Sequence, residues 1–406
     1  MRILQITPQL PFPPDSGGRS AMYEWLRHVG RRHSVTLLSF AAGSGVTEAP
    51  KALAELCERV VTVPRRVSHP SVVAIRAAWT GMPHNLAPFH AQAMRRKVVE
   101  LARPGDVDLV QIEFAHMAGY ADDLPARLPC VFRPHNVESE ILARYAARSR
   151  NPLVAAYAAL QSRRVQRFEA RVCSRFDRCI AVSESDAARL RELAPGAAVE
   201  TIPVGVDTAS FRPHAVAVAA DPERIATTGD YAWPPTADGL RFLALDVLPR
   251  IRASVPGARL AVIGRDPPAL GRDPARDGID VLGRVADVRP EILRASVFVA
   301  PTRIGSGIRV KTMEALALGR AVVATTIGCA GIDVRPGEHL LVADEPQALA
   351  DHVVALLRDP ARAARLGAAG AARIAERYAW DLLADRFDAI YAAVVDEHRA
   401  RASAPA

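Results

Sequence analysis

The sequence predicts an α/β protein made of two doubly wound domains with parallel sheets. Three observations carry that expectation. Short apolar runs alternate with longer helical patterns along most of the chain, which is the mark of βαβ units. The rhythm lapses at residues 203–213, rich in turn formers and without periodicity, and then restarts. A length of 406 residues also exceeds one ordinary domain.

Taken in order, strand-like runs fall at 3–6, 35–40, 60–63, 109–112, 131–132, 179–182 and 199–202, with helical stretches such as 21–31, 91–102 and 153–172 between them. The second series falls at 225–228, 260–263, 279–282, 297–300, 321–325 and 340–342. The resulting division is a first domain at 1–203, a connection at 204–213 and a second domain at 214–380. A helix at 381–398 is expected to pack back on the first domain, followed by a disordered tail at 399–406. Ligands of such sheets bind at the carboxyl ends of the strands, so two facing domains create a deep cleft.

Composition narrows the class. Apolar residues at 50% with 24% charged describe a globular protein with a full core. No run approaches the roughly 18–20 apolar residues of a membrane span, and the first eight residues read as a strand, too short for a signal-peptide core. The five cysteines, Cys57, Cys130, Cys173, Cys179 and Cys329, form no CxxC pair, which argues against structural zinc or a disulfide framework and fits a reducing cytoplasm. Residues 1–205 carry 27 Lys+Arg against 19 Asp+Glu, and 206–406 carry 25 against 25, so the whole excess of +8 lies in the first half. Within it Arg144, Arg148, Arg150, Arg163, Arg164, Arg167, Arg171, Arg175 and Arg178 cluster in one largely helical stretch. That stretch reads either as a solvated helix face or as a dock for an anionic membrane leaflet or a phosphorylated acceptor. Nucleic acid is disfavoured, since no binding motif or interleaved aromatics accompany it.

The most informative segment is Gly305-Ser-Gly-Ile-Arg-Val-Lys-Thr-Met-Glu-Ala-Leu-Ala-Leu-Gly319. It follows a buried strand and opens a helix whose apolar positions Ile308, Met313, Leu316 and Leu318 allow one face to be buried. A Gly-rich turn at a helix N-terminus presents unpaired N–H groups and a positive dipole end to a phosphate. Arg309 and Lys311 add cations at that end, and Glu314 one turn on is placed to accept from ribose hydroxyls. Lys311 is one of only three lysines beside 49 arginines, and the only one in the second half of the chain. Val310 stands where a dinucleotide fingerprint needs its third glycine, so a dehydrogenase is disfavoured.

These residues, with Gly17-Gly18, His135-Asn-Val-Glu138, Ala181-Val-Ser-Glu184, Ile202-Pro-Val-Gly-Val-Asp207, Gly229-Asp-Tyr-Ala-Trp-Pro-Pro235, Leu282-Gly-Arg-Val-Ala-Asp-Val288 and Tyr378-Ala-Trp-Asp381, resemble the retaining glycosyltransferases of family 4 over almost the whole length. The resemblance implies the GT-B fold, two facing Rossmann-like domains with a cleft. It implies a hexosyltransferase-like enzyme using a nucleotide-diphosphate sugar, with no metal or other cofactor. Glu314 matches the ribose-binding carboxylate of the Glu-x7-Glu signature. The first signature position, which contacts the transferred sugar in relatives, is Ser306 here. Arg309 and Lys311 match the Gly-x-Gly-x-Arg-x-Lys version and are expected to act on the leaving diphosphate. They replace an Arg and a Lys that many relatives carry after the first strand of the second domain, where this chain has neither. Gly17, Gly18, Gly305, Gly307 and Ile308 are expected to complete the donor site, with Gly283, Arg284 and Val285 near the base. Where relatives place a catalytic His after the 109–112 strand this chain has Glu113, with His116 three further on; His135 is a second candidate for acceptor or sugar contact. Asn136 and Glu138 are alternatively read as caps of the next helix.

The implied acceptor is lipid-linked or a growing glycan, in envelope or exopolysaccharide assembly, with the protein cytoplasmic or peripheral on the inner face of the cell membrane. No protein nucleophile is implied, because the leaving phosphate can assist acceptor deprotonation. Two other classes compete: a GT-B nucleotide-sugar epimerase, which needs a carboxylate pair not evident here, and a non-catalytic nucleotide-sugar-binding partner subunit.

Overall fold

The computed structural model describes residues 1–14, 16–42, 50–65, 72, 77, 82–149, 151–213, 216–271, 273–305 and 307–403. The chain divides into two units. Unit 1 comprises Met1–Pro203 with Asp381–Ala406, and unit 2 comprises Val204–Trp380.

Unit 1 is a seven-stranded sheet in the order β3-β2-β1-β4-β5-β6-β7. Its strands are β1 (Arg2–Thr7), β2 (Ser34–Ala42), β3 (Arg59–Arg65), β4 (Leu109–Glu113), β5 (Cys130–Arg133), β6 (Arg178–Ala181) and β7 (Val199–Thr201), all paired in parallel. Leu4, Ile6, Val110, Ile112 and Phe132 alternate onto one face and enter the main hydrophobic cluster. The register pairs Gln5 with Gln111 and Glu113 with Arg133, so four polar residues share the opposite face of three neighbouring strands. All four are buried.

Unit 2 is a six-stranded parallel sheet in the order β10-β9-β8-β11-β12-β13. Its strands are β8 (Asp221–Asp230), β9 (Arg259–Arg265), β10 (Ile279–Gly283), β11 (Ala295–Ala300), β12 (Ala321–Ala324) and β13 (Leu341–Val342). Strand order reverses between β1 and β4 in unit 1 and between β8 and β11 in unit 2. Those are the switch points where doubly wound sheets open a crevice at their carboxyl edge.

Two boundaries differ from expectation. The 204–213 connection belongs to unit 2, where Val206 N–H donates to Tyr378 O at 2.8 Å and Asp207 accepts from Ala209 and Ser210. Turn formers made it read as a free linker, but those turns are pinned. The final helix runs Trp380–Ser403, so 399–403 are helical and not a disordered tail. Arg399, Ala400, Arg401 and Ala402 are good helix formers, and Arg401 pairs with Asp177 at 2.7 Å. Residues 404–406 lie outside the described residues. Among the described residues, no helix is long and apolar enough to cross a membrane.

Candidate functional site

In unit 2 the strand β11 ends at Ala300 and leads through residues 301–309 into the helix Val310–Ala317. Gly305 and Gly307 carry φ of +148° and +72°, which L side chains rarely adopt, so both positions call for glycine. A Cβ on Gly305 would also lie 2.6 Å from Arg309 Nη2, because the guanidinium folds back over this turn. Arg309 is the residue before the helix and has no side-chain cap bond there. Ile308 precedes the helix rather than lying within it; Met313, Leu316 and Leu318 are buried. Thr312 Oγ1 donates to Gly328 O at 2.8 Å, fixing the helix start against the next βα connection. Glu314 lies three residues beyond Lys311, on the same side of the helix. Ser306 lies outside the described residues.

Burial pushes Lys311 down to about 8, and the adjoining Arg309 guanidinium pushes in the same direction. Two cations are therefore held together at a helix N-terminus, beside the switch point. Two further arginines reach this edge, which the sequence reading missed. Arg265 at the end of β9 donates to Asp230 through Nε and Nη2 at 3.0 and 2.7 Å. Arg303 grips Asp238 in the same manner at 3.0 and 2.7 Å. Both grip a carboxylate, whereas Arg309 lies close enough to Lys311 to repel it. Gly283, Arg284 and Val285 follow at the carboxyl end of β10, two strands from β8, with Gly283 at φ +65°. A cavity of about 150 Å³ lined by Ser296, Arg320 and Leu356 lies at the opposite, amino-terminal end of β11 and β12, away from every candidate residue.

In unit 1 the helix Gly17–His28 starts directly at Gly17, after extended Ser16. Gly17 and Gly18 are thus its first turn, not a loop, and present N–H groups with no partner inside the helix. A Cβ on Gly18 would lie 2.8 Å from Phe114 Cζ, so glycine lets the helix press on that ring. Phe114 itself has φ +64° and ψ +147°, a conformation costing about 1–3 kcal/mol that clusters at functional sites. Its ring stacks on His135 with centroids 3.9 Å apart and planes 5° apart.

His135 Nε2 bonds Glu113 Oε2 at 2.6 Å. Glu113 Oε1 accepts from Gln5 Nε2 at 2.9 Å and Gln111 Nε2 at 2.6 Å, with Arg133 Nη1 3.9 Å away. The Gln111 carbonyl accepts from Tyr391 of the final helix, whose hydroxyl oxygen accepts from Trp25 Nε1 at 3.0 Å. Burial pushes the Glu113 carboxyl up, but Arg133, His135 and Gln5 together outweigh it and hold it below the ordinary range. Burial lowers His135 more than Glu113 raises it, so the imidazole is neutral at pH 7 and offers Nε2–H to the carboxylate. Glu113 is fully buried and His135 is 7% exposed, and the short bond between them fixes the imidazole against the carboxylate. His116 stands apart from this cluster. Its ring lies 4.6 Å from that of Phe89, and burial with Arg65 nearby pushes it down to about 4.

The N-cap of the helix Glu138–Arg148 is Val137, whose side chain makes no cap bond, and Glu138 is the first helical residue. Glu169, from the helix Pro152–Cys173, accepts from Glu138 N–H at 2.7 Å and from Ser139 Oγ at 2.5 Å. A cap delivered from 31 residues away leaves no local signal. Burial pushes Glu138 up to about 7, with Glu169 adding repulsion. Burial likewise raises Glu169 to about 7 against the bonds from Ser139. A carboxyl raised in the fold stabilises only while protonated, so stability is lost as pH climbs from about 4.5 through 7. Glu138→Gln is therefore expected to raise the melting temperature at pH 8, by the equivalent of about 1–2 kcal/mol, and to change little near pH 4.5. Equal effects at both pH values would contradict the paired-carboxylate account.

Two family models match this chain, one described as Glycosyltransferase Family 4 over residues 16–210 and one as Glycosyl transferases group 1 over residues 222–359. The phosphatidyl-myo-inositol mannosyltransferase of Mycobacterium leprae is 31% identical over 223 residues, 52% of this chain and 59% of that protein. A GDP-mannose-dependent alpha-(1-6)-phosphatidylinositol monomannoside mannosyltransferase of Mycobacterium tuberculosis is 33% identical over 214 residues, 47% of this chain and 54% of its own length. The matches thus span little more than half of these curated relatives. Among solved structures, sucrose-phosphate synthase from Thermosynechococcus elongatus superposes with a TM-score of 0.72 at 18% identity, covering 98% of this chain and 100% of that one. Anabaena HepE in complex with UDP-glucose gives 0.67 at 15% identity, over 97% and 100%. At such identities the likeness is one of fold.

Proposed function

The chain belongs to glycosyltransferase family 4 and has its GT-B fold, and from that premise we propose that it moves a hexosyl group from a nucleotide-diphosphate sugar to a lipid-linked or growing-glycan acceptor, with retention. The observation that carries this reading is the pairing of Arg309 with partly buried Lys311 at a helix N-terminus on the switch point of unit 2. Two cations held against their own repulsion gain most from an anion of matching double charge, and a leaving diphosphate is one. Their charge, with the N–H groups of the first turn, stabilises the diphosphate as the glycosidic bond breaks. In unit 1, His135 is held in one tautomer by Glu113 and presents its ring face to Phe114. We assign it to orienting a sugar or acceptor hydroxyl, while the departing phosphate oxygen takes the hydroxyl proton, so no protein nucleophile enters. Glu314 receives the ribose and the 283–285 turn the base. The related phosphatidylinositol mannosyltransferases support a lipid acceptor, and an anionic cytoplasmic membrane face, met through the Arg-rich 144–178 stretch, belongs to the same reading.

Thermal melting against a panel of nucleoside diphosphates and their sugars tests the donor half. A ligand at about 100 times its Kd stabilises by roughly 2.7 kcal/mol. One nucleotide class is expected to raise the melting temperature selectively. Glu314→Ala should weaken it by about 10- to 100-fold, as loss of a hydrogen bond to a charged acceptor does. A shift without diphosphate release toward any acceptor would favour the binding-subunit alternative; no shift with any nucleotide would sink the proposal.

A further inference from the structure

The helix Pro152–Cys173 buries Ala158, Gln161, Val165, Phe168, Glu169 and Val172. A second, unburied stripe runs along the flank of this face, about 110° round the helix at 3.6 residues per turn. Leu153, Tyr157 and Leu160 are 79%, 50% and 48% exposed, and they recur at i, i+4 and i+7. The same stripe continues through Arg164, Arg167 and Arg171, with Arg163 beside it. Tyr145, on the neighbouring helix Glu138–Arg148, adds another exposed ring. Asn151 caps the start, its side chain accepting from Leu153 N–H at 3.0 Å and Val154 N–H at 3.3 Å, so the apolar end of the stripe is firmly helical.

Charge separates this face from an ordinary solvated one. Residues 141–168 contain no Asp or Glu at all, and Glu169 is turned inward to cap the helix Glu138–Arg148. The nine arginines singled out by sequence also divide into two groups. Arg144 pairs with Glu140 at 2.7 Å, Arg175 with Asp122 at 3.3 Å, and Arg178 with Glu397 at 2.8 Å and Glu200 at 3.3 Å. Among the described residues, Arg163, Arg164 and Arg167 form no ion pair; Arg150 lies outside them. Exposed Leu and Tyr at one end with uncompensated Arg following, over about 21 Å of helix in all, is the arrangement of a segment lying in a bilayer interface.

We infer that the stripe Leu153–Tyr157–Leu160 with Arg163, Arg164 and Arg167 docks unit 1 on an anionic lipid surface, the apolar side chains entering the headgroup boundary and the guanidiniums meeting lipid phosphates. This deepens the proposed function, on which it rests for its purpose, since a lipid-linked acceptor is met at such a surface. Arginine suits the role because it pairs bidentately with phosphate and keeps its charge when partly dehydrated.

Co-sedimentation of the full chain with phosphatidylcholine vesicles, with and without phosphatidylglycerol, provides the test. The wild type is expected to bind only the anionic vesicles, and less as salt rises. Leu153→Ser/Tyr157→Ser/Leu160→Ser should lower partitioning about tenfold or more, and Arg163→Glu/Arg164→Glu/Arg167→Glu by about a hundredfold or more. Leu153, Leu160, Arg163 and Arg167 are exposed, Arg164 is partly so, and Tyr157 meets only the edge of His84, so melting of each variant is read alongside, and both should keep the donor-induced shift. No binding by the wild type, or binding untouched by both variants, overturns the inference. So does a dimer in solution that the apolar variant splits, which would make a second copy the occupant. A missing donor shift with intact vesicle binding would instead count against the transferase reading alone.

Discussion

Lys311→Met is expected to weaken nucleoside-diphosphate binding by roughly 30- to 1,000-fold at pH 7, the cost of removing one member of a charge contact that the bound ligand shields from water being about 2–4 kcal/mol. The wild type should also show a pH signature. Lys311 sits at about 8 in the free protein, lowered first by burial and then by Arg309. An anionic ligand favours the charged amine and raises that value, so binding takes up a proton above pH 8 and affinity falls as pH rises past it. Calorimetric titration below and above pH 8 should reveal this slope in the wild type and a flat profile in Lys311→Met over the same range. Arg309→Gln should lose affinity too, yet keep a slope displaced to higher pH, because the repulsion on Lys311 is gone. Wild-type affinity in Lys311→Met would remove the donor diphosphate from this loop.

The parts of this molecule visible in the sequence share a physical cause. Strands covered on both faces read as largely apolar runs, so β1, β4, β11 and β12 declare themselves. The 305–311 loop was legible because glycine pattern, cations and helix onset are adjacent in the chain. What stayed hidden is assembled across distance. Gln5 and Gln111 interrupt two apolar strands, a faint signal whose meaning depends on the register that pairs them. Tyr391 reaches Gln111 from 280 residues away, and nothing local marks it. Glu113 stands out by its position, but its full burial and its bonds depend on distant partners, Gln5 and Gln111 beside it and Tyr391 of the final helix behind Gln111. Arg265 and Arg303 escaped for the same reason, since their carboxylate partners come from other elements.

Glu113→Ala is expected to destabilise unit 1 by about 3–5 kcal/mol, equivalent to a fall of about 10 °C in its melting transition. The mechanism is not the loss of one favourable contact. Arg133 is fully buried beside Glu113, its guanidinium carbon 5.0 Å from the centre of the Phe387 ring, and removing the carboxylate strands that charge in a low-dielectric layer. Gln5, Gln111 and His135 would lose their shared acceptor at the same time. Glu113→Gln separates charge from shape, since it keeps one acceptor oxygen and the volume. Because the fold holds the Glu113 carboxyl below its ordinary range, the stability it contributes is present above that range and is lost as pH falls through the lowered value. The gap in melting temperature between wild type and Glu113→Gln should accordingly be widest near neutrality and shrink in acid; a gap independent of pH would rule out the ionised carboxylate as its source. Where Glu113→Gln remains folded, transfer should fall in kcat with donor affinity little changed, because Gln leaves the tautomer and tilt of His135 unfixed while the Arg309–Lys311 loop is untouched. Loss confined to donor affinity would place the action of Glu113 elsewhere than through His135.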